Sequence, residues 1–146
     1  MKIVLASSNQ LKAKEITVEL AQNFEICLQG DLGINPAKET GTSFVENALI
    51  KARHASAEAG MPAIADDSGL CVTGLGGKPG VTSARYAGPS ASDQDNLNKL
   101  LNKLKKTENR EAFFYCVMVF LEAPRDAIPL IAEATWHGKI ISSPRG

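Results

Sequence analysis

Short, wholly apolar runs alternate with helix-period stretches through the first half of this chain, and few folds accommodate that order. Ile3-Val4-Leu5-Ala6 is such a run, ended by a polar turn, and reads as a buried strand. Ala13, Ile16, Thr17, Leu20 and Phe24 then fall on one mostly apolar helical face, with Asn9 where an N-cap belongs. Phe24, Ile26 and Leu28 alternate with Glu25 and Cys27, the period of a second strand. A Gly- and Pro-containing loop spans Gly30 to Ser43. Ser43 and Glu46 form a capping-box pattern for a second helix, striped by Val45, Ala48, Leu49, Ala52, Ala55 and Ala59 and stopped by Gly60 and Pro62. Pro62 to Ala65 predicts a third buried strand running into Asp66-Asp67-Ser68-Gly69, with strand-like sequence resuming at Leu70-Cys71-Val72.

The second half is richer in strand. Gly74 to Gly88 reads as a Gly-rich loop. Ser92 and Asp95 mark a helix start, and Leu97, Leu100, Leu101 and Leu104 form its stripe. Ala112 to Leu121 is the longest strand candidate. Pro124-Arg125-Asp126 is a turn, Ala127 to Trp136 the expected antiparallel partner, and Gly138 to Ile141 one more short strand. The order predicts an α/β fold, a mixed β-sheet flanked by helices.

Composition narrows the function classes. Sixteen Lys and Arg balance sixteen Asp and Glu in 146 residues. A neutral chain has no bulk attraction for nucleic acid or an anionic membrane, so phosphate affinity must be local. No apolar stretch approaches the length of a bilayer span. Cys27, Cys71 and Cys116 are odd in number, widely spaced and flanked by apolar residues, neither a disulfide framework nor zinc spacing. They read as small buried hydrophobes in a reducing, cytoplasmic setting.

Five segments offer chemistry. The turn Ser7-Ser8-Asn9-Gln10-Leu11-Lys12 precedes a helix whose first N–H groups attract an anion, but it has neither the glycines nor the lysine spacing of a Walker A loop. Asp66 and Asp67 follow a buried strand, a costly place for two carboxylates unless they are solvated, paired or metal-bound. Glu39, in the loop before the capped helix, completes a cation site if it meets Asp67. Asn47, Lys51 and His54 share one face of the second helix, by spacing its solvated side, with Lys51 the candidate for phosphate. Lys78 and Arg85, in the Gly-rich loop, are cations for phosphate or simply surface groups. His137 has no assigned role. No Ser-His-Asp or Cys-His arrangement points to covalent catalysis.

Taken in order, these motifs resemble the inosine-triphosphate pyrophosphatase family. The likeness rests on Leu5 to Lys12, Glu39-Thr40-Gly41-Thr42-Ser43-Phe44-Val45-Glu46-Asn47-Ala48, Lys51-Ala52, Ala63 to Leu70, and Leu75-Gly76-Gly77-Lys78-Pro79-Gly80-Val81-Thr82-Ser83-Ala84-Arg85-Tyr86. It spans essentially the whole chain. The resemblance implies an elongated α/β fold, a cytoplasmic homodimer, and Mg²⁺-dependent hydrolysis of ITP, dITP or XTP to monophosphate and pyrophosphate. It implies that Ser7, Ser8, Asn9, Gln10, Leu11 and Lys12 hold the triphosphate, that Lys51 approaches the phosphates, and that Ser68 contacts substrate. Glu39 and Asp67 would serve the metal. Asp67 would be the proton acceptor that activates water, with Asp66 supporting it.

The sequence departs from the family after Pro144-Arg145-Gly146. The Phe-Gly-Tyr-Asp-Pro and Ser-His-Arg motifs and the final helix, which read the purine in the family, are not in it. The notional consequence is a single pyrophosphatase domain, residues 1–146, truncated at its C-terminus, with lost base selectivity, uncovered apolar sheet surface and weak or absent turnover. The alternatives are a non-catalytic triphosphate binder and a structural partner pairing through its sheet. The septum-inhibitor-type pyrophosphatases share the architecture but fit Ala65 to Gly69 less well.

Overall fold

A computed structural model of the chain describes residues 1–145. Five strands form one sheet: β1 (Lys2–Ala6), β2 (Glu25–Leu28), β3 (Ala63–Val72), β4 (Glu111–Leu121) and β5 (Leu130–Lys139), in the order β2-β1-β3-β4-β5. The helices are α1 (Gln10–Leu20), α2 (Phe44–Ala59) and α3 (Asp93–Leu104), with two short 3₁₀ turns in the Gly-rich loop. The chain divides into two compact units, Met1–Asp67 with Val117–Ala132, and Ser68–Cys116 with the segment from Glu133 on.

In the first unit β1 pairs in parallel with β2 on one side and β3 on the other. Parallel neighbours need crossovers, which α1 and α2 supply. Side chains alternate along a strand, so each face takes every second residue. Ile3, Leu5 and Ile64 pack with Ala13 of α1, with Ile16, Leu20 and Phe24 against them. The opposite face carries Val4, Ala6, Ala63 and Ala65, all fully buried. It is covered by α2, whose Ala48, Ala52 and Ala55 are buried too. Alanine on both surfaces lets that helix lie close to the sheet. Arg53 of α2 donates to the carbonyl oxygens of Pro124 (2.8 Å) and Asp126 (3.2 Å), tying the β4–β5 turn to the helix.

The second unit has its own core of Val72, Leu100, Leu104 and Ala112, with Leu70, Leu75, Tyr86 and Ile140 against it. Here α3 is capped as its sequence predicts, Ser92 and Asp95 bonding reciprocally. Arg110 donates to the carbonyls of Ile140 and Ile141 and fixes the chain after β5. His137 lies against Phe113, ring centroids 5.4 Å apart.

Three expectations need correction. Asp66 to Gly69 do not interrupt the strand: β3 runs unbroken from Ala63 to Val72. Gly138 and Lys139 end β5 rather than opening a further strand. Cys71 is buried, Cys27 and Cys116 are partly exposed, and none of the three forms a disulfide. Along β5, Leu130, Ile131 and Trp136 are exposed apolar side chains. Among the described residues no helix is long and apolar enough to cross a membrane.

The N-terminus of α2 carries a complete capping box. The Ser43 hydroxyl accepts the Glu46 N–H, and the Glu46 carboxylate accepts the N–H groups of Thr42 and Ser43 and the Thr42 hydroxyl. The bond from the Thr42 N–H leads the causes that hold the Glu46 carboxyl below its ordinary range. A group lowered in the folded state stabilises above its unfolded value and stops doing so as pH falls through the folded one. Ser43→Ala is expected to lower unfolding stability by about 1 kcal/mol in urea denaturation at neutral pH. The stability gap between wild type and Glu46→Gln is expected to narrow as pH falls through the acid range.

Candidate active site

The parallel pairing of β1 with β3 fixes the geometry. Val4, Leu5 and Ala6 oppose Ala63, Ile64 and Ala65. Beyond Ala6 the chain leaves the sheet through the Ser7–Asn9 turn, while β3 continues into Asp66 and Asp67. The two carboxylates therefore lie past the end of β1 while still within a strand, and alternation sends them to opposite faces. Asp66, in phase with Ile64, takes the α1 face. Asp67, in phase with Ala65, takes the α2 face.

On the α1 face, Asn9 caps the helix, its Oδ1 accepting the N–H groups of Leu11 and Lys12 at 3.1 Å each. The Ser7 hydroxyl accepts the Asn9 N–H at 3.3 Å, and Ser7, Ser8, Gln10 and Leu11 remain wholly or partly exposed around the turn. Lys12 reaches from the first turn of α1 to Asp66, Nζ to Oδ2 2.9 Å. That carboxylate is 5% exposed and the ammonium stem 33% exposed, so the pair is closed from below and open from above.

On the other side of the unit, Lys51 of α2 pairs with Glu39, Nζ to Oε1 3.3 Å, its own side chain only 14% exposed. Asn47, one turn earlier, is fully buried, and its Oδ1 accepts the Gly41 N–H at 2.8 Å. Gly41 has no room for a side chain: a Cβ there would lie 2.7 Å from both Asn47 Oδ1 and Glu46 Cβ. His54 bonds through Nε2 to the Asn35 carbonyl oxygen at 2.8 Å. The face holding Asn47, Lys51 and His54 is thus packed against the loop before α2, not solvated as its spacing suggested.

The structure thus joins Lys12 to Asp66 and Lys51 to Glu39, and turns Asp67 toward the sheet face that α2 covers. Ser68 is bonded directly to Asp67 but belongs to the second unit. Lys78 and Arg85 also lie in that unit, where Ser83 Oγ accepts the Leu70 N–H and donates to the Gly80 carbonyl. A cavity of about 710 Å³ beside α1 touches Ser7 and Ser8 but reaches none of the four carboxylate and ammonium groups. Its wall mixes apolar side chains such as Ile26, Leu28 and Ile34 with Lys14, Gln29 and Asp31.

A family model described as the Ham1 family matches residues 3–146. The chain belongs to the Ham1 family. It is 57% identical over 148 aligned positions to a dITP/XTP pyrophosphatase of Methylococcus capsulatus, covering 99% of this chain and 74% of that protein. The solved structure of a HAM1 protein from Coxiella burnetii superposes with a TM-score of 0.94 at 42% identity, over all of this chain and 76% of the other. A nucleoside-triphosphatase / dITP/XTP pyrophosphatase from Mycobacterium abscessus gives a TM-score of 0.84 at 37% identity, covering 100% and 78%. The kinship read from the motifs and the mixed α/β sheet both stand.

Removing one partner of a largely buried ion pair leaves the other uncompensated, whereas removing both is far less costly. Lys12→Met is expected to lower stability by about 2 kcal/mol, less than a fully enclosed pair because the ammonium is one-third exposed. Asp66→Asn in the same chain is expected to restore about half of the loss. A urea-denaturation double-mutant cycle reads both.

Proposed function

We propose that this chain hydrolyses non-canonical purine nucleoside triphosphates (ITP, dITP and XTP), cleaving between the α- and β-phosphorus to give the monophosphate and pyrophosphate. The observation that carries the reading is the pairing of family membership with a site of matching chemistry. A helix N-terminus and two lysines offer anion contacts. Asp66 and Asp67 lie on β3 just past the end of β1, and Glu39 lies in the loop before α2 beside Lys51.

Hydrolysis of a phosphoanhydride needs charge neutralisation, an oriented water and in-line approach, with no covalent nucleophile. In this reading the N–H groups and hydroxyls of the Ser7–Lys12 turn hold the polyphosphate. Lys12 and Lys51, each paired with a carboxylate, turn part of their charge to phosphate oxygens. Asp67 takes the proton of the attacking water, while Asp66 keeps Lys12 in place. Ser68 contacts substrate beside Asp67.

The cation suited to this work is Mg²⁺, and the donor set fits it. Among the described residues no three His, Cys, Asp or Glu side chains form a closed cage. Magnesium needs none, being held by one or two carboxylates together with substrate phosphate and water. Glu39 and Asp67 would hold it. When bound, the ion neutralises phosphate charge and lowers the pKa of coordinated water.

We assign the working form to a cytoplasmic homodimer, an arrangement that would cover the apolar side chains exposed on β5.

With Mg²⁺ present, ITP is expected to yield IMP and pyrophosphate in equal amounts, and EDTA is expected to abolish release. Release of inorganic phosphate instead would contradict cleavage at the α–β bond. Binding of Mg·ITP without product would favour a non-catalytic triphosphate binder. ATP run in parallel reads how far these residues distinguish the base.

A further inference from the structure

The loop between β2 and α2 is long and has no regular structure beyond Gly33. A segment of that kind is costly to order unless something pins it. It carries Glu39. Three side chains of α2, at successive turns of one stripe, reach it: His54 at Asn35, Lys51 at Glu39 and Asn47 at Gly41. The contacts run in opposite order along the two segments. The loop therefore lies along the helix and is held at both ends and at the carboxylate itself.

We infer that Asn47, Lys51 and His54 form a three-point brace that places the Glu39 carboxylate for a divalent cation, with Asn47 and His54 as positioning residues. The inference rests on the reading of Glu39 as a metal ligand. Asn47 makes the strongest case. Its Oδ1 is spent on the Gly41 N–H, while its Nδ2 is buried with no hydrogen-bond partner among the described residues. An unpaired buried donor destabilises, so an apolar side chain of similar size would suit a mere packing position better. What asparagine supplies is an acceptor that fixes a backbone N–H two residues from Glu39. Gly41 completes the fit, because any side chain would strike that oxygen. His54 anchors the far end, half-buried, with Nε2 2.8 Å from the Asn35 carbonyl oxygen.

Groups that orient a metal ligand set its affinity, with losses of tenfold or more when they are removed. The test is Mn²⁺ binding to the full chain in the presence of inorganic pyrophosphate, followed by electron paramagnetic resonance. Wild type is compared with Asn47→Ala, His54→Ala and His54→Gln. Asn47→Ala and His54→Ala are expected to weaken Mn²⁺ binding about tenfold. With ITP, the Mg²⁺ concentration for half-maximal rate should rise in proportion while kcat at saturating Mg²⁺ changes little. His54→Gln, which keeps a donor for Asn35, should stay near wild type. Lowered Tm with unchanged Mn²⁺ affinity would reduce the brace to a structural role and overturn the inference. Should Asn47→Ala fail to fold, the two His54 variants decide the matter. If wild type itself binds no Mn²⁺ with pyrophosphate, the reading of the site falls first, and the brace with it.

Discussion

Everything at the candidate site depends on where β1 stops pairing with β3. The parallel register ends at Ala6 opposite Ala65. One strand turns into a helix there, and the other continues with two acidic residues. Adjacent carboxylates inside a strand must face opposite ways, so they meet different surroundings. Asp66 is 3% exposed and answered by Lys12, and Asp67 is 9% exposed on the face that α2 covers. A turn at this point would have let both side chains swing to one side and compete for one environment.

The same arrangement accounts for the charge balance. Two ammonium groups and the carboxylates they meet sit within one compact unit and cancel pairwise without any ligand. A chain of zero net charge, whose two site lysines are already paired with carboxylates, has little long-range pull on a polyanion. In the proposed reading, affinity comes from exchange at close range, with phosphate taking the place of carboxylate beside each lysine.

Much of this was legible in the residues. The N-cap at Asn9, both capping boxes and the glycine stop at Gly60, where the helix ends in a left-handed residue, are local signals that the structure follows closely. Motif order was enough to indicate the family. What the sequence hid was tertiary. Asp66 to Gly69 has the composition of a turn, and the pairing that keeps it extended comes from distant strands. Asn47, Lys51 and His54 look like a solvated stripe, because nothing local says that the preceding loop folds back over the helix. The glycine at 41 was the available signal, a small residue where a close backbone approach is needed. Arg53, which holds the β4–β5 turn by two carbonyls, gave no signal at all.

Steady-state kinetics with thermal unfolding on Asp66→Asn and Asp67→Asn separates the roles of the two neighbouring carboxylates. Asp67→Asn is expected to lose at least a hundredfold in kcat for ITP with Tm nearly unchanged, as befits loss of a general base. Asp66→Asn is expected to lose mainly Tm and to retain most of kcat when folded. Comparable kcat for the two variants, or full activity in Asp67→Asn, would contradict the account.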